Sequence, residues 1–115
     1  MNVESLIKGD KVIIKKGMRK GLGIIAKELE YGVIKIKDVE DNSIMTFDKE
    51  GNASNSNGWV TTRISDWTQL DEDIALAEIE RENLIRDIHK IVAKLYIKDL
   101  YKVYYGIKGL SEQNA

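Results

Sequence analysis

Short runs of apolar and β-branched residues, separated by Gly, Asn and Asp, fill the first half of the chain. Such runs are typical of strands connected by turns. Ile34 and Ile36 alternate with Lys35 and Lys37, which is the period of a strand with one buried and one solvated face. The pattern predicts five strands, in residues 11–15, 22–27, 32–37, 43–48 and 58–64.

The connections between these runs are short and polar. Turns are predicted at residues 16–21, 30–32 and 40–42, and the long polar segment 49–58 is expected to be mobile. Five short strands with tight turns cannot cover both faces of an open sheet. We therefore expect an SH3-like small β-barrel or a curled antiparallel sheet.

The hydrophobic period changes to three and four residues after about Trp67. Asp66 or Thr68 can cap a helix, and the acids of residues 71–73 lie where the positive end of a helix dipole favours negative charge. An unbroken helix over residues 68–108 would span about 60 Å, far more than the width of a small barrel. We expect a break near Ile97 or Lys98.

These elements predict an α+β protein in three parts. Residues 1–66 form the SH3-like β module. Residues 67–110 form a long helix or helical hairpin that packs on the module or forms an interface. Residues 111–115 are expected to be a disordered tail.

Composition narrows the class of protein. The chain has no cysteine, so disulfides and thiolate metal sites are excluded. No segment approaches the roughly 20 apolar residues of a membrane helix, and the start lacks a signal-peptide pattern. We expect a cytoplasmic protein that does not enter a membrane. The 16 Ile and the 14 Lys against 4 Arg indicate an AT-rich genome, such as a low-GC bacterium or its phage.

The charge is unevenly distributed, with a net charge of +5 in residues 1–37, −9 in residues 38–83 and +3 in residues 84–115. Acids gathered on one face could imitate a row of phosphates and engage a basic partner. Asp38, Glu40 and Asp41 are therefore candidate partner-binding residues, although acidic turns are also common in proteins without such a role.

The most specific local pattern is the glycine-punctuated basic stretch GDKVIIKKGMRKGLGII, residues 9–25. Over residues 8–37 the chain resembles, in part, the KOW motif of SH3-like barrels in NusG-type transcription factors and some ribosomal proteins. One residue rather than two separates Gly21 from Gly23, which departs from the family pattern. The resemblance implies an RNA- or protein-binding module without catalysis, with Lys16, Arg19 and Lys20 as contacting loop cations. An ordinary hairpin with solvated lysines is the alternative.

A second basic pattern recurs every four residues in the helical region. Arg86 and Lys102 bracket Lys90, Lys94 and Lys98, and on a helix these would form a slowly winding stripe that could track phosphates. The same spacing is also typical of a solvated helix face. Together with the loop cations, these lysines define the alternative function, a KOW-like RNA- or DNA-binding module associated with ribosomes or transcription.

Catalytic chemistry has few candidate residues. His89 is the only imidazole, and one histidine with Glu82 makes neither a catalytic triad nor a stable metal site. Helix capping already explains Asp71 and Asp73. We therefore predict no enzyme activity, no metal and no cofactor.

A dense aromatic patch lies near the end of the chain, formed by Tyr96, Tyr101, Tyr104 and Tyr105. Such patches are typical of interface hot spots, and docking on the barrel, a homodimer through the C-terminal helix or a foreign partner would each bury it. The leading hypothesis is a non-enzymatic phage or mobile-element accessory protein. It would bind a host protein or ribonucleoprotein and modulate or inhibit it, and an anti-CRISPR-like activity is one version of this hypothesis.

Overall fold

A computed structural model describes residues 1–113 of the chain. A short 3₁₀ turn (Val3–Ser5) precedes six strands and two α-helices. The strands are β1 (Lys11–Lys16), β2 (Arg19–Glu30), β3 (Val33–Asp38), β4 (Ile44–Asp48), β5 (Asn52–Ser54) and β6 (Val60–Asp66), and the helices are α1 (Gln69–Val92) and α2 (Ile97–Gln113).

The six strands form one antiparallel sheet in the order β4-β3-β2-β1-β6-β5. The two outer strands, β4 and β5, lie next to each other, so the sheet curls into a nearly closed barrel. The 12-residue strand β2 spans the curl, and shifts of its register against β3 near Lys27 let it bend. The prediction of an α+β fold with a small barrel-like sheet is confirmed.

The inside of the barrel is filled by aliphatic side chains and one phenylalanine. Val12 and Ile14 of β1 alternate into this core, where they join the other buried residues, Val3, Ile25, Ile34, Ile36, Phe47 and Ile64. Ile13 points to the opposite face of β1, where it is buried with Leu22 against Ala75 of α1. The first turns of α1 therefore cover part of the outer face of the sheet, which explains the continuous apolar run in β1.

The prediction of five strands was wrong, because β5 lies within the segment expected to be mobile. Its three polar or small residues show no apolar alternation, and pairing with β6 defines the strand instead. The turn that follows is also ordered by hydrogen bonds. The Asn55 side-chain oxygen accepts from the backbone N–H groups of Asn57 and Trp59, at 2.9 and 3.1 Å.

The predicted turn at residues 16–21 shrinks to two residues, Gly17 and Met18. Lys16 pairs directly with Arg19 across the hairpin, and the left-handed φ of +60° at Gly17 suits a glycine in so tight a turn. The candidate loop cations Lys16, Arg19 and Lys20 therefore lie on strand ends rather than in a loop.

The helical region is divided close to the expected position, since α1 ends at Val92 and α2 begins at Ile97. Thr68 is the N-terminal cap of α1, and its hydroxyl oxygen accepts from the Asp71 N–H at 3.1 Å. Neither α1 nor α2, over the described part, combines the length and apolar character needed to cross a lipid bilayer.

The chain divides into two units, a barrel unit (Met1–Ile79) and a helical unit (Glu80–Ala115), and the boundary falls within α1. Helix α2 continues to Gln113, so residues 111–113, which were expected to begin the disordered tail, are helical. Gly106 and Gly109 do not end the helix, because glycine weakens a helix without excluding helical backbone angles. Residues 114 and 115 of the expected tail lie outside the described residues.

Gly23 offers a direct test of the barrel core. An alanine Cβ there would lie 2.7 Å from Cγ2 of Ile36 and 2.8 Å from Cδ1 of Ile14, whereas at Gly21 the nearest atom, the Ile14 carbonyl oxygen, is 3.8 Å away. We expect Gly23→Ala to lower the free energy of unfolding by about 1–3 kcal/mol through overpacking. Gly21→Ala should not lower it. Urea unfolding of both variants is the measurement, and equal stabilities would contradict this packing.

Candidate functional site

The cations at the β1–β2 hairpin are paired with carboxylates. Nη2 of Arg19 lies 2.9 and 3.0 Å from the two carboxylate oxygens of Glu40, and Nζ of Lys16 lies 3.5 Å from Oδ2 of Asp38. Nζ of Lys20 lies 2.8 Å from Oδ1 of Asp71 in α1. The structure thus pairs two of the predicted loop cations, Lys16 and Arg19, with two of the predicted acidic partner-binding residues, Asp38 and Glu40.

The acidic candidates also shape the turn between β3 and β4. Asp38 is only 5% exposed and accepts a hydrogen bond from the Glu40 N–H at 3.0 Å. The side chain of Asp41 accepts from the Ser43 N–H at 2.9 Å. Hydrogen bonds from Ser43 lower the pKa of Asp41 below its ordinary value. Asp38 and Asp41 therefore have local structural roles that a row of free carboxylates would lack.

A second charged cluster, which the sequence analysis missed, anchors the first turn of α1. Nζ of Lys11 lies 2.7 Å from Oε1 of Glu72 and 5.6 Å from the centre of the Trp67 ring. Gln69 donates its side-chain amide to Glu72 at 3.1 Å. The hydrogen-bonded ion pair with Lys11 lowers the pKa of Glu72, against the opposing effect of burial. The acidic run 71–73 was a signal for this contact. Its partner, Lys11, lies in β1, however, and five strands separate β1 from α1 along the chain.

The helical unit presents a different kind of surface. None of its described residues, 80–113, is buried, although it is rich in large apolar side chains. Those that are clearly exposed are Leu84, Ile85, Ile88, Ile91, Tyr96, Ile97, Tyr101, Tyr104, Tyr105, Ile107 and Leu110. This many exposed large apolar side chains within residues 80–113 directs attention to those that lie together.

One side of α2 forms a groove with an apolar lining. Ile97, Leu100, Tyr101 and Tyr104 recur at three- and four-residue spacing and border an open depression of about 250 Å³. Tyr105 lies beside them, with its ring centre 5.2 Å from that of Tyr104 in an edge-to-face arrangement and 6.4 Å from that of Tyr101. We call these five residues the aromatic face.

Three of the four predicted tyrosines belong to the aromatic face. Tyr96 is exposed in the connection between the two helices and does not line the groove. Leu100 and Ile97 complete the groove, and the sequence analysis did not name them as binding residues. Their spacing relative to Tyr101 and Tyr104 was the signal that could have identified them.

The predicted basic stripe does not lie along one helix. Lys90 belongs to α1, Lys94 to the connection between the helices and Lys98 to α2, and all three are exposed. A continuous stripe requires one helix, in which every fourth residue returns to nearly the same side. The break between Val92 and Ile97 interrupts this repeat. These lysines remain accessible, but a single helical track for phosphates is not formed.

His89 lies exposed on α1. Within residues 1–113, no three His, Asp or Glu side chains are grouped as ligands for a metal ion. The expectation of a protein without enzyme activity stays a prediction.

No protein-family model, curated protein sequence or solved structure matches this chain. A function must therefore be inferred from the chain's own surfaces. In the barrel unit, the predicted cations Lys16, Arg19 and Lys20 are already paired with acids. In the helical unit, the apolar side chains of the aromatic face are accessible to a partner.

The Lys11–Glu72 pair predicts a loss of stability in acid. Because the pKa of Glu72 is lowered in the folded protein, its contribution is fully present above the ordinary value of 4.5 and is lost as the pH falls through the lowered value. The Glu72→Gln variant should have a lower free energy of unfolding than the wild type at neutral pH. Below about pH 4.5, that free energy should change less with pH than it does in the wild type.

Urea unfolding across the acidic range provides the measurement, and a double-mutant cycle with Lys11→Met provides the control. In the Glu72→Gln background, replacing Lys11 should cost less stability than it does in the wild type. Additive effects of the two substitutions would show that the pair does not couple α1 to the barrel.

Proposed function

We propose that this chain is a non-enzymatic binding protein that engages a host protein or ribonucleoprotein through the aromatic face of α2. In this proposal the barrel unit is an SH3-like scaffold. The observation that carries the proposal is the exposure of the aromatic face, on a helix that has no buried residue over its described length.

The composition of the aromatic face suits protein recognition. Tyrosine offers a large rigid ring and a polar hydroxyl, and it is enriched among the few residues that dominate binding energy at interfaces. Ile97 and Leu100 add aliphatic surface next to Tyr101 and Tyr104, which increases the apolar area that a partner could bury here. A helix presenting anchors at this spacing matches helix-in-groove recognition.

The paired charges of the barrel unit favour a protein partner over a nucleic acid. Arg19 and Lys20 would have to exchange a carboxylate at 2.8–3.0 Å for a phosphate in order to bind RNA or DNA. Such an exchange yields less binding free energy than the binding of a phosphate by an unpaired cation, because an existing ion pair must first be broken.

The biological role within this proposal is modulation or inhibition of a host macromolecule by occupying its surface. The high content of Ile and Lys, which indicates a low-GC genome, supports a phage or mobile-element accessory protein. If the target is a defence nuclease, the role is anti-CRISPR-like.

Affinity capture from a low-GC bacterial lysate tests the aromatic face. We expect the wild type to retain a specific partner and Tyr104→Ala to lose most of it, because an interface hot spot contributes roughly 2 kcal/mol or more. Tyr31→Ala is the matched control, since Tyr31 is 96% exposed in the β2–β3 turn of the barrel unit. Identical captured proteins for all three chains, or none, would refute the proposal.

The KOW-like alternative makes a separate prediction about nucleic acid. If the barrel unit bound RNA or DNA through its cations, affinity would fall steeply with salt concentration. Replacing Lys16, Arg19 and Lys20 by alanine would then abolish binding. We expect no salt-sensitive shift of labelled single-stranded RNA or duplex DNA by the wild type at low salt. A shift that the triple variant loses would favour the alternative over the proposed function.

A further inference from the structure

Helix α1 has an exposed apolar side of its own, separate from the aromatic face of α2. Glu72 and Ala75 are buried, and at about 100° per residue Leu70 and Ala77 lie on the opposite side of the helix. Ile74 lies at the margin of that side, next to Met18 and Lys20 of the β1–β2 hairpin. Leu70 is 70% exposed and Ile74 is 42% exposed. Along its first turns, α1 therefore has one side packed on the sheet and an uncovered apolar side.

The spacing of the uncovered side continues through the helix. Leu70, Ile74, Ala77, Leu84, Ile88 and Ile91 follow an alternation of four and three residues, with Arg81 at the one polar position in the series. This is the a/d pattern of a coiled coil, and a single polar residue within such a seam commonly specifies its register. We call these seven residues, including Arg81, the α1 seam.

We propose that the α1 seam pairs with the seam of a second copy of this chain, with the two helices antiparallel. The uncovered side chains Leu70, Ile74, Leu84, Ile88 and Ile91, with Ile85 at the margin, offer on the order of 500 Å² per chain. A standard interface buries about 800 Å² per partner, of which about 57% is non-polar, so this apolar surface is sufficient.

The distribution of charge along α1 decides the orientation. Residues 69–82 carry six acids and one arginine, whereas residues 83–94 carry three Lys or Arg and one acid. An antiparallel pair places the acidic half of each helix beside the basic half of the other. A parallel pair would place acid beside acid, which costs energy at each close contact. Opposed helix dipoles also favour the antiparallel arrangement.

A two-fold axis near Glu82 and Asn83 gives this pair a consistent register. The axis places Ile74 opposite Ile91 of the second copy and Ala77 opposite Ile88, so these apolar residues meet each other. Leu84 lies opposite Arg81 of the second copy, which puts the one polar position of the seam next to the axis. The two chains then use the same surface, as a closed dimer requires. The dimer leaves α2 to bind a partner, and two linked aromatic faces would bind a repetitive or dimeric target with increased avidity.

Sedimentation equilibrium of the full chain tests the association. We expect the wild type to sediment as a dimer at micromolar concentration and Ile88→Asp to sediment as a monomer. Leu76→Asp is the matched control, because Leu76 is 43% exposed, close to the 48% of Ile88, and lies on α1 outside the seam. It should remain dimeric. Circular dichroism confirms that both variants stay folded, and a monomeric wild type would overturn the proposal.

Cross-linking tests the orientation, because the chain contains no cysteine and any introduced thiol is unique. In the antiparallel pair, the two copies of residue 84 lie about 4–5 Å apart along the axis, and those of residue 91 about 25 Å apart. A short bis-maleimide should therefore link Leu84→Cys efficiently and Ile91→Cys poorly. Mixing Ile74→Cys with Ile91→Cys should restore linkage. Efficient linkage of Ile91→Cys alone would refute the antiparallel arrangement.

These outcomes separate the dimer from the proposed function. Ile88→Asp changes sedimentation without touching the aromatic face, and Tyr104→Ala changes capture of a partner without touching the α1 seam. A dimeric protein that captures nothing would leave the dimer standing and remove the function, and a monomeric protein with a Tyr104-dependent partner would do the reverse.

Discussion

The packing of α1 against the outer face of β1 and β2 is the contact on which the arrangement of the barrel unit depends. A curled sheet buries the side chains that point inward, but Ile13 and Leu22 point outward and need separate cover. Ala75 supplies it, and its small side chain allows the helix backbone to come close to the sheet. The ion pairs of Lys11 with Glu72 and of Lys20 with Asp71 hold the same turns of α1.

The first turn of α1 and the β3–β4 turn together supply acids to the cations of the hairpin strands. The acids of the first turn of α1 and of the β3–β4 turn lie where the cations of β1 and β2 emerge. Each pair is partly exposed and contributes modestly to stability. Their combined effect is to bring Lys11, Lys16, Arg19 and Lys20 into neutral pairs, although the sequence shows separate blocks of opposite sign.

The helical unit lacks comparable cover. Helices of 17–24 residues gain most of their stability in proteins from packing of an apolar face rather than from intrinsic helix propensity. None of the described residues 80–113 is buried, so this unit has little packing of that kind within the chain itself. The proposed partner at the aromatic face and the proposed second copy at the α1 seam would each supply such packing.

The sequence by itself determined the local elements: strands from the period-two runs, the capped helix after Thr68 and the division of the helical region. These features depend on neighbouring residues, so a local pattern is sufficient to predict them. Strand β5 has no such pattern, and the pairing of Lys16, Arg19 and Lys20 with distant acids depends on how the sheet curls. Only the tertiary structure decided these features, because they arise from contacts between residues far apart in the chain.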